Sequence, residues 1–116
     1  MAGMIRNAYT AVIARGELWE ANVFTEPYEA AWASEAVFFV HVMECTCGAG
    51  ALAVARVQIS PDGIRWVDEG ASMNISARAE SVAFARVTNF GGWLRLAVEV
   101  PAGTGIKVVA TLALKG

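Results

Sequence analysis

The sequence predicts an all-β protein, a single-domain antiparallel β-sandwich of about seven to nine strands with a jelly-roll type of connectivity. Short segments in which apolar and polar residues alternate recur roughly every ten residues, with Gly, Pro and Asn between them. No segment sustains the 3.6-residue period of an amphipathic helix, which disfavours a parallel α/β fold. The length of 116 residues suits one domain with one core.

The chain is expected to have a first part with little regular secondary structure and a second part that forms the regular sandwich. Residues 1–35 are predicted to form a partly irregular N-terminal arm or cover segment, and residues 36–116 the sandwich core. Within the first part, residues 8–14 alternate weakly and predict a strand that ends in a turn at Arg15 and Gly16.

The core is predicted from its alternating and apolar segments. Residues 36–44 are rich in Val and Phe and apolar on both faces, as in a buried strand. Residues 69–77 contain Gly70 and Asn74 and predict a connecting stretch. The core strands are expected at residues 36–44, 51–59, 64–68, 80–87, 93–100 and 106–114. The last strand should turn one face inward, formed by Ile106, Val108, Ala110, Leu112 and Leu114.

The most specific local signal is the turn Ser60-Pro61-Asp62-Gly63, which we interpret as structural. Pro61 presets φ for the first central position of a type I turn, and Asp62 can hydrogen-bond to nearby backbone. Gly63 tolerates the positive φ that a three-residue hairpin with a bulge requires.

Composition and charge narrow the function classes. Hydrophobic residues make up 56% and charged residues 17% of the chain, so part of the apolar surface should lie in a subunit interface. We therefore expect a homo-oligomer, with a trimer as the first candidate, or docking on a larger protein shell. The net charge of −2 and the dispersed arginines argue against nucleic-acid binding. The sequence has neither a signal-peptide pattern nor a membrane-spanning apolar run, so a virion or a cytoplasmic assembly is the expected location.

No constellation of side chains predicts catalysis, and we expect no enzyme, cofactor or metal. His41, Met43, Cys45 and Cys47 would share one face of an unbroken strand, and could there hold a soft metal. Cys-x-Cys differs from the usual zinc spacing, so packing in the core or in an interface is the favoured interpretation of this group. The carboxylates are scattered, and no two are predicted to face each other as in a glycosidase.

Aromatic residues are the better candidates for contacts with a partner or a ligand, because exposed aromatic rings anchor interfaces and stack on sugars. Trp66 and the adjacent Arg65 follow the turn and should point to opposite faces, although Trp66 packed over the core edge is the favoured alternative. The complete set of candidate interface or ligand residues is Trp19, Trp32, Trp66, Arg65 and Trp93.

Over residues 36–116 the chain resembles small β-sandwich virion proteins of tailed phages and prophages. The landmarks are Val57, Gln58, Ser60, Asp62, Gly63, Trp66, Leu94, Arg95, Gly103 and Thr104. The resemblance implies a capsid decoration or head–tail accessory protein without catalytic residues. The same hairpin is similar to that of discoidin-like sandwiches and to the sialidase Asp-box, although one residue is missing between Asp62 and Gly63.

Two hypotheses therefore stand. The first is a non-enzymatic structural protein of a phage or phage-like virion that acts through subunit contacts. The alternative is a carbohydrate- or ligand-binding β-sandwich module that uses its tryptophans.

Overall fold

The computed structural model describes residues 8–116, which form nine strands in two antiparallel sheets. The predicted all-β sandwich is confirmed. The strands are β1 (Ala8–Trp19), β2 (Val23–Phe24), β3 (Tyr28–Glu29), β4 (Glu35–Cys47), β5 (Leu52–Ser60), β6 (Val67–Ser76), β7 (Val82–Thr88), β8 (Trp93–Glu99) and β9 (Gly105–Lys115). Sheet A has the order β1-β9-β4-β7, and sheet B has the order β2-β8-β5-β6, with β3 also paired to β8. Within residues 8–116 there is no helix long and apolar enough to cross a membrane.

The core lies between the two sheets and follows from the alternation of side chains along each strand. In β9 the predicted inward residues from Ile106 to Leu114 are all at most 1% exposed. In β4 the inward face consists of Ala36, Phe38, Val40 and Val42, and in β8 of Leu94, Leu96 and Val98. The residues between them point outward, which gives each sheet an outer face.

Three strands differ from the predicted elements. β1 does not turn at Arg15 and Gly16 but runs on to Trp19, because Gly16 takes a φ of +63° inside a β-bulge against β9. The predicted connection 69–77 lies largely in β6, where three residues around Gly70 bulge opposite one residue of β5. β4 continues through Cys47 with two further register shifts. In each strand a bulge interrupts the period-two pattern without ending the strand.

The part of the N-terminal segment that follows β1 closes the edge of sheet B. Thr25 donates its backbone N–H to the carbonyl of Leu96 at 3.0 Å, and its hydroxyl accepts the N–H of Leu96 at 2.9 Å. β2 and β3 pair with β8 on either side of this contact. Of the predicted arm 1–35, residues 8–19 are thus an edge strand and residues 20–34 a covering segment, while residues 1–7 lie outside the described part.

The β5–β6 turn is longer than the predicted three-residue hairpin, since Ile59 and Val67 are the last paired residues. Asp62 explains the difference, because its Oδ1 accepts the backbone N–H groups of Ile64 and Arg65 at 2.9 Å each and thereby organises a wider loop. Gly63 has a φ of +77°. These two backbone hydrogen bonds are also the main reason that the pKa of the Asp62 carboxyl lies below its usual range.

Candidate functional site

The outer surface of sheet A, hereafter the A face, is apolar at its centre. The strand register aligns its outward residues in rows that cross all four strands. The three central rows are Thr10–Ala113–Val37–Arg86, Val12–Thr111–Phe39–Phe84 and Arg15–Val109–His41–Val82. Phe84 is 52% and Val82 is 62% exposed, and the rings of Phe39 and Phe84 lie 6.3 Å apart. Such a contiguous patch of large apolar side chains is characteristic of a protein interface.

Charged side chains of both signs border this apolar centre. At one end Glu35 lies opposite Lys115, and the Arg86 guanidinium lies 5.3 Å from the centre of the Phe84 ring. At the other end Glu44 lies opposite Lys107. The A face therefore has a polar border around an apolar centre, the usual anatomy of an interface.

The group His41, Met43, Cys45 and Cys47 does not form one face, because register shifts of β4 after Val42 and after Cys45 break the alternation. Instead, His41 lies on the A face with Nε2 3.2 Å from Glu80 Oε2. Cys45 and Cys47 are free thiols, of which Cys47 is exposed. Within residues 8–116 no three His, Cys, Asp or Glu residues are placed to hold a metal ion.

The outer surface of sheet B, hereafter the B face, is mostly polar and carries one arginine that contacts two aromatic rings. The Arg95 guanidinium carbon lies 4.0 Å from the centre of the Phe24 ring and 4.3 Å from that of Trp66. Its Nε donates a hydrogen bond to Gln58 Oε1 at 2.8 Å, and Gln58 Nε2 donates to Asp68 Oδ1 at 3.0 Å. Partial burial lowers the pKa of Arg95 from its usual value. The guanidinium thus contacts two aromatic rings and has a hydrogen bond from its Nε, which together restrict its orientation.

The predicted contact residues have different surroundings. Trp19 is only 2% exposed, with its Nε1 donating to Glu17 Oε1 at 3.2 Å, so it offers no surface to a partner. The reason is that β1 continues past Gly16 and turns Trp19 into the core. Trp66 stacks on Arg95, as described above. Arg65 is exposed and bonds Asp62 Oδ2 at 2.9 Å through Nη1.

The two remaining tryptophans lie in different places. Trp93 is half-buried beneath the turn, with its ring against Gly63. Trp32 is 45% exposed and, with Ala8, Tyr9 and Tyr28, lines a depression of about 440 Å³. The two tyrosine rings stack with centroids 6.5 Å apart. Burial, followed by the neighbouring Tyr9, raises the pKa of the Tyr28 hydroxyl.

Sequence reasoning missed the two phenylalanines at the centre of the A face and one residue of the stack on the B face. Phe39 and Phe84 were expected inside a buried strand and a core strand, and the alternation does not say which face of a strand is covered. Phe24 had no predicted role, because its contact with Arg95 depends on the pairing of β2 with β8.

Comparison with known proteins finds a solved structure with a similar fold but no matching family. No protein-family model matches the chain, and no curated protein matches it significantly. Among solved structures, the chain is similar to the SPBc2 prophage-derived protein YomS, with a TM-score of 0.64 and 9% identity over 100% of this chain and 99% of that one. A structure of FLHE matches with a TM-score of 0.39 and 15% identity over 95% of each chain, too weakly to carry an argument. The fold is therefore shared with a protein derived from a prophage.

Proposed function

We propose that the chain is a non-enzymatic assembly protein of a phage or phage-like particle, a capsid decoration or head–tail accessory component, whose subunits associate through the A face. The observation that carries this proposal is the continuous apolar centre around Phe39 and Phe84. The likeness in fold to a prophage-derived protein supports the phage-like setting.

The size of the A face agrees with this role. Four strands at about 4.8 Å spacing give a width of about 19 Å, and the length of β9 from Lys107 to Lys115 gives about 27 Å. Two copies that cover about 500 Å² each would bury about 1,000 Å², the lower bound for a biological interface. Because both signs of charge occur at each end of the A face, a second copy meets no uniform repulsion.

The mode of contact sets the stoichiometry. A face that packs on its own copy about a twofold axis gives a dimer, whereas the trimer expected from the sequence requires contact between two different surfaces. The measured mass of the assembly distinguishes these two arrangements.

The test is the oligomeric state of a variant with one charge on the A face. We expect the wild-type chain of 12.3 kDa to show a mass of two or three subunits in sedimentation or light scattering, and Phe84→Lys to be monomeric. Ile64→Lys is the matched control, since Ile64 is 80% exposed in the β5–β6 loop, away from the A face. A monomeric wild-type chain at about 100 μM, or a Phe84→Lys variant that still associates, would contradict the proposal.

The proposed presence of the chain in a phage-like particle is tested separately. In phage-like particles purified from a strain that carries the gene, mass spectrometry should detect the chain in a fixed ratio to the shell protein. Its absence from intact particles would refute the virion role even if the chain self-associates.

A second candidate function is supported by the aromatic depression formed by Tyr9, Tyr28 and Trp32. Three neighbouring rings on a shallow, open surface are suited to stacking on a sugar. A saccharide that quenches wild-type fluorescence but not that of Trp32→Phe would favour this module, whereas the same response in both chains would exclude this site.

A further inference from the structure

The edge of sheet A at β7 differs from the other sheet edges. Within residues 8–116, β7 pairs with β4 alone, over seven residues and without a register shift. The opposite edge, β1, is interrupted by two bulges, and in sheet B β2 and β3 have two residues each, while β6 bulges around Gly70. Bulges and short strands are common ways to prevent pairing at an edge, whereas a regular edge strand is suited to it. β7 is therefore the edge at which a further strand fits best.

The backbone hydrogen bonds that flank β7 show which of its residues face the free edge. Val42 donates its N–H to the carbonyl of Ser81 at 2.9 Å, and Asn89 donates its N–H to the carbonyl of Ser34 at 3.2 Å. Because the bonding direction alternates from residue to residue, the odd-numbered residues between Ser81 and Asn89 bond to β4. The even-numbered residues turn their N–H and C=O groups to the free edge, and these are Val82, Phe84, Arg86 and Thr88. β6 comes near β7 where residues 77–81 join the two strands, but it makes no backbone hydrogen bond with β7 in the described part of the chain.

The free edge of β7 is complementary to itself in one register. Two β7 strands can pair antiparallel about a twofold axis at Ala85. The opposed pairs are then Val82 with Thr88 and Phe84 with Arg86. Every edge-facing residue has a partner in this register, and because each such pair exchanges two hydrogen bonds, the contact contains about eight. An axis at Phe84 would leave Thr88 unpaired, and an axis at Arg86 would set two arginines against each other.

The side chains favour the same register. Within one chain the Arg86 guanidinium lies 5.3 Å from the centre of the Phe84 ring, and across the twofold axis each ring would meet the guanidinium of the other copy. No two like charges would lie directly opposite each other. On the inward face Ala85 would meet Ala85 and Ala83 would meet Val87, and these short side chains do not hold the strands apart.

We propose that β7 pairs with β7 of a second copy about a twofold axis at Ala85, which joins the sheets A of two copies into one continuous sheet. The axis is perpendicular to the sheet, so the A faces of both copies point to the same side. This contact goes beyond the association proposed through the A face, because it uses the backbone of an edge strand and leaves the A face uncovered. It buries little apolar surface, so we expect a dissociation constant of roughly 1 mM, and pairing mainly where copies are concentrated.

A disulfide tests the position of the axis. In the proposed register the Ala85 residues of the two copies form a pair without mutual hydrogen bonds, whose Cα atoms lie about 4.5 Å apart, within the range of a disulfide. The thiols of two Ala83→Cys chains would lie about 13 Å apart, because position 83 faces a position four residues further along the partner strand. Ala83 is the matched control, since it lies on the same inward face and is the more exposed of the two.

The reaction is followed in a Cys45→Ser, Cys47→Ser background, since both native thiols are free. With oxidised glutathione, Ala85→Cys should form a covalent dimer roughly fivefold faster than Ala83→Cys, while both variants keep the thermal midpoint of the background. Equal rates, or no dimer from either folded variant, would overturn the proposal. Faster linkage in a mixture of the two variants than in Ala85→Cys alone would overturn the axis at Ala85.

A second measurement needs no thiol. The N–H of Thr88 faces the free edge, so Thr88→Pro removes a donor that only a second copy would use, whereas Thr88→Ala keeps it. In sedimentation equilibrium from about 0.1 to about 2 mM, the average mass of the wild type and of Thr88→Ala should rise about 1.4-fold, and that of Thr88→Pro should stay constant. An equal rise in all three chains, or none in the wild type, would refute pairing through β7 whatever the mass at 0.1 mM says about the A face. A wild type that is monomeric at 0.1 mM and pairs only above it would support this contact and refute association through the A face.

Discussion

Replacement of Gly63 by Ala tests how closely the β5–β6 turn packs against the Trp93 ring. Gly63 has a φ of +77°, where an L-residue costs roughly 1–2 kcal/mol. A Cβ placed there would lie 3.2 Å from Cδ2 and Cε2 of Trp93. Carbon atoms prefer a separation of about 3.5–4.0 Å, so either the indole or the turn must move by a few tenths of an ångström.

The chain contains a matched control for the backbone part of this cost. Gly50 has a φ of +87°, and a Cβ there would meet no atom within 4 Å. We expect Gly50→Ala to lower the free energy of unfolding by about 1–2 kcal/mol and Gly63→Ala by about 2–3 kcal/mol. For a domain of this size the difference corresponds to about 4 °C in the midpoint of thermal unfolding.

Calorimetry of both variants and of their Trp93→Leu backgrounds measures the two contributions. In the Trp93→Leu background the additional cost of Gly63→Ala over Gly50→Ala should largely disappear, because the ring is no longer there. Equal losses for the two glycines in the wild-type background would refute the reasoning, since the contact with Trp93 would then cost nothing.

Three further predictions use the same unfolding assays. Trp19→Ala should lose about 3–5 kcal/mol because the indole is buried, whereas Trp32→Ala, at an exposed position, should lose less than about 1 kcal/mol in urea titrations; similar losses would contradict the burial of Trp19. Asp62→Asn should leave the free energy of unfolding nearly unchanged. Because folding lowers the pKa of the Asp62 carboxyl, any greater stability of the wild type should exist above pH 3.8 and vanish as the pH falls further. A stability difference that grows in acid would contradict this sign. Gly92→Ala should cost about 1–3 kcal/mol or more, since its Cβ would lie 2.5 Å from the backbone oxygen of Ser60; a neutral effect in calorimetry would show that this contact relaxes freely.

The sequence predicted the strands whose alternation is regular. β9 alternates without a register shift opposite the central part of β4, and its inward residues were identified from spacing alone. The predicted strand 64–68 overlaps only the first two residues of β6. The rest of β6 was missed because it is polar and interrupted by Gly70, features that also mark a loop. A β-bulge and a turn share the same local composition, and only the pairing of the neighbouring strand separates them.

The candidate sites were less predictable than the fold, because they depend on which face each sheet leaves uncovered. Phe39 and Phe84 satisfy the pattern of a core strand equally well whether they face inward or outward. The stack on Arg95 joins Phe24 to Trp66, residues more than 40 positions apart whose contact is set by pairing and loop geometry. The tryptophans selected from the sequence include Trp66 of this stack, but the selection contains neither Phe24 nor the phenylalanines of the A face.

The position of β9 between β1 and β4 determines when the strands of sheet A can pair during synthesis. Among residues 8–116, β1 pairs in sheet A with β9 alone, from Trp19 with Ile106 to Ala8 with Lys115, so that its partner lies roughly 100 residues further along the chain. At ribosomal rates of about 5–20 residues per second, β1 waits several seconds in the nascent chain before that partner emerges. Pairings across such sequence distances also make refolding slow, in the millisecond-to-second range of all-β domains. During that interval the apolar strands of sheet A are unpaired and can associate incorrectly. A chaperone that binds β1 and β4 should therefore raise the yield of native protein.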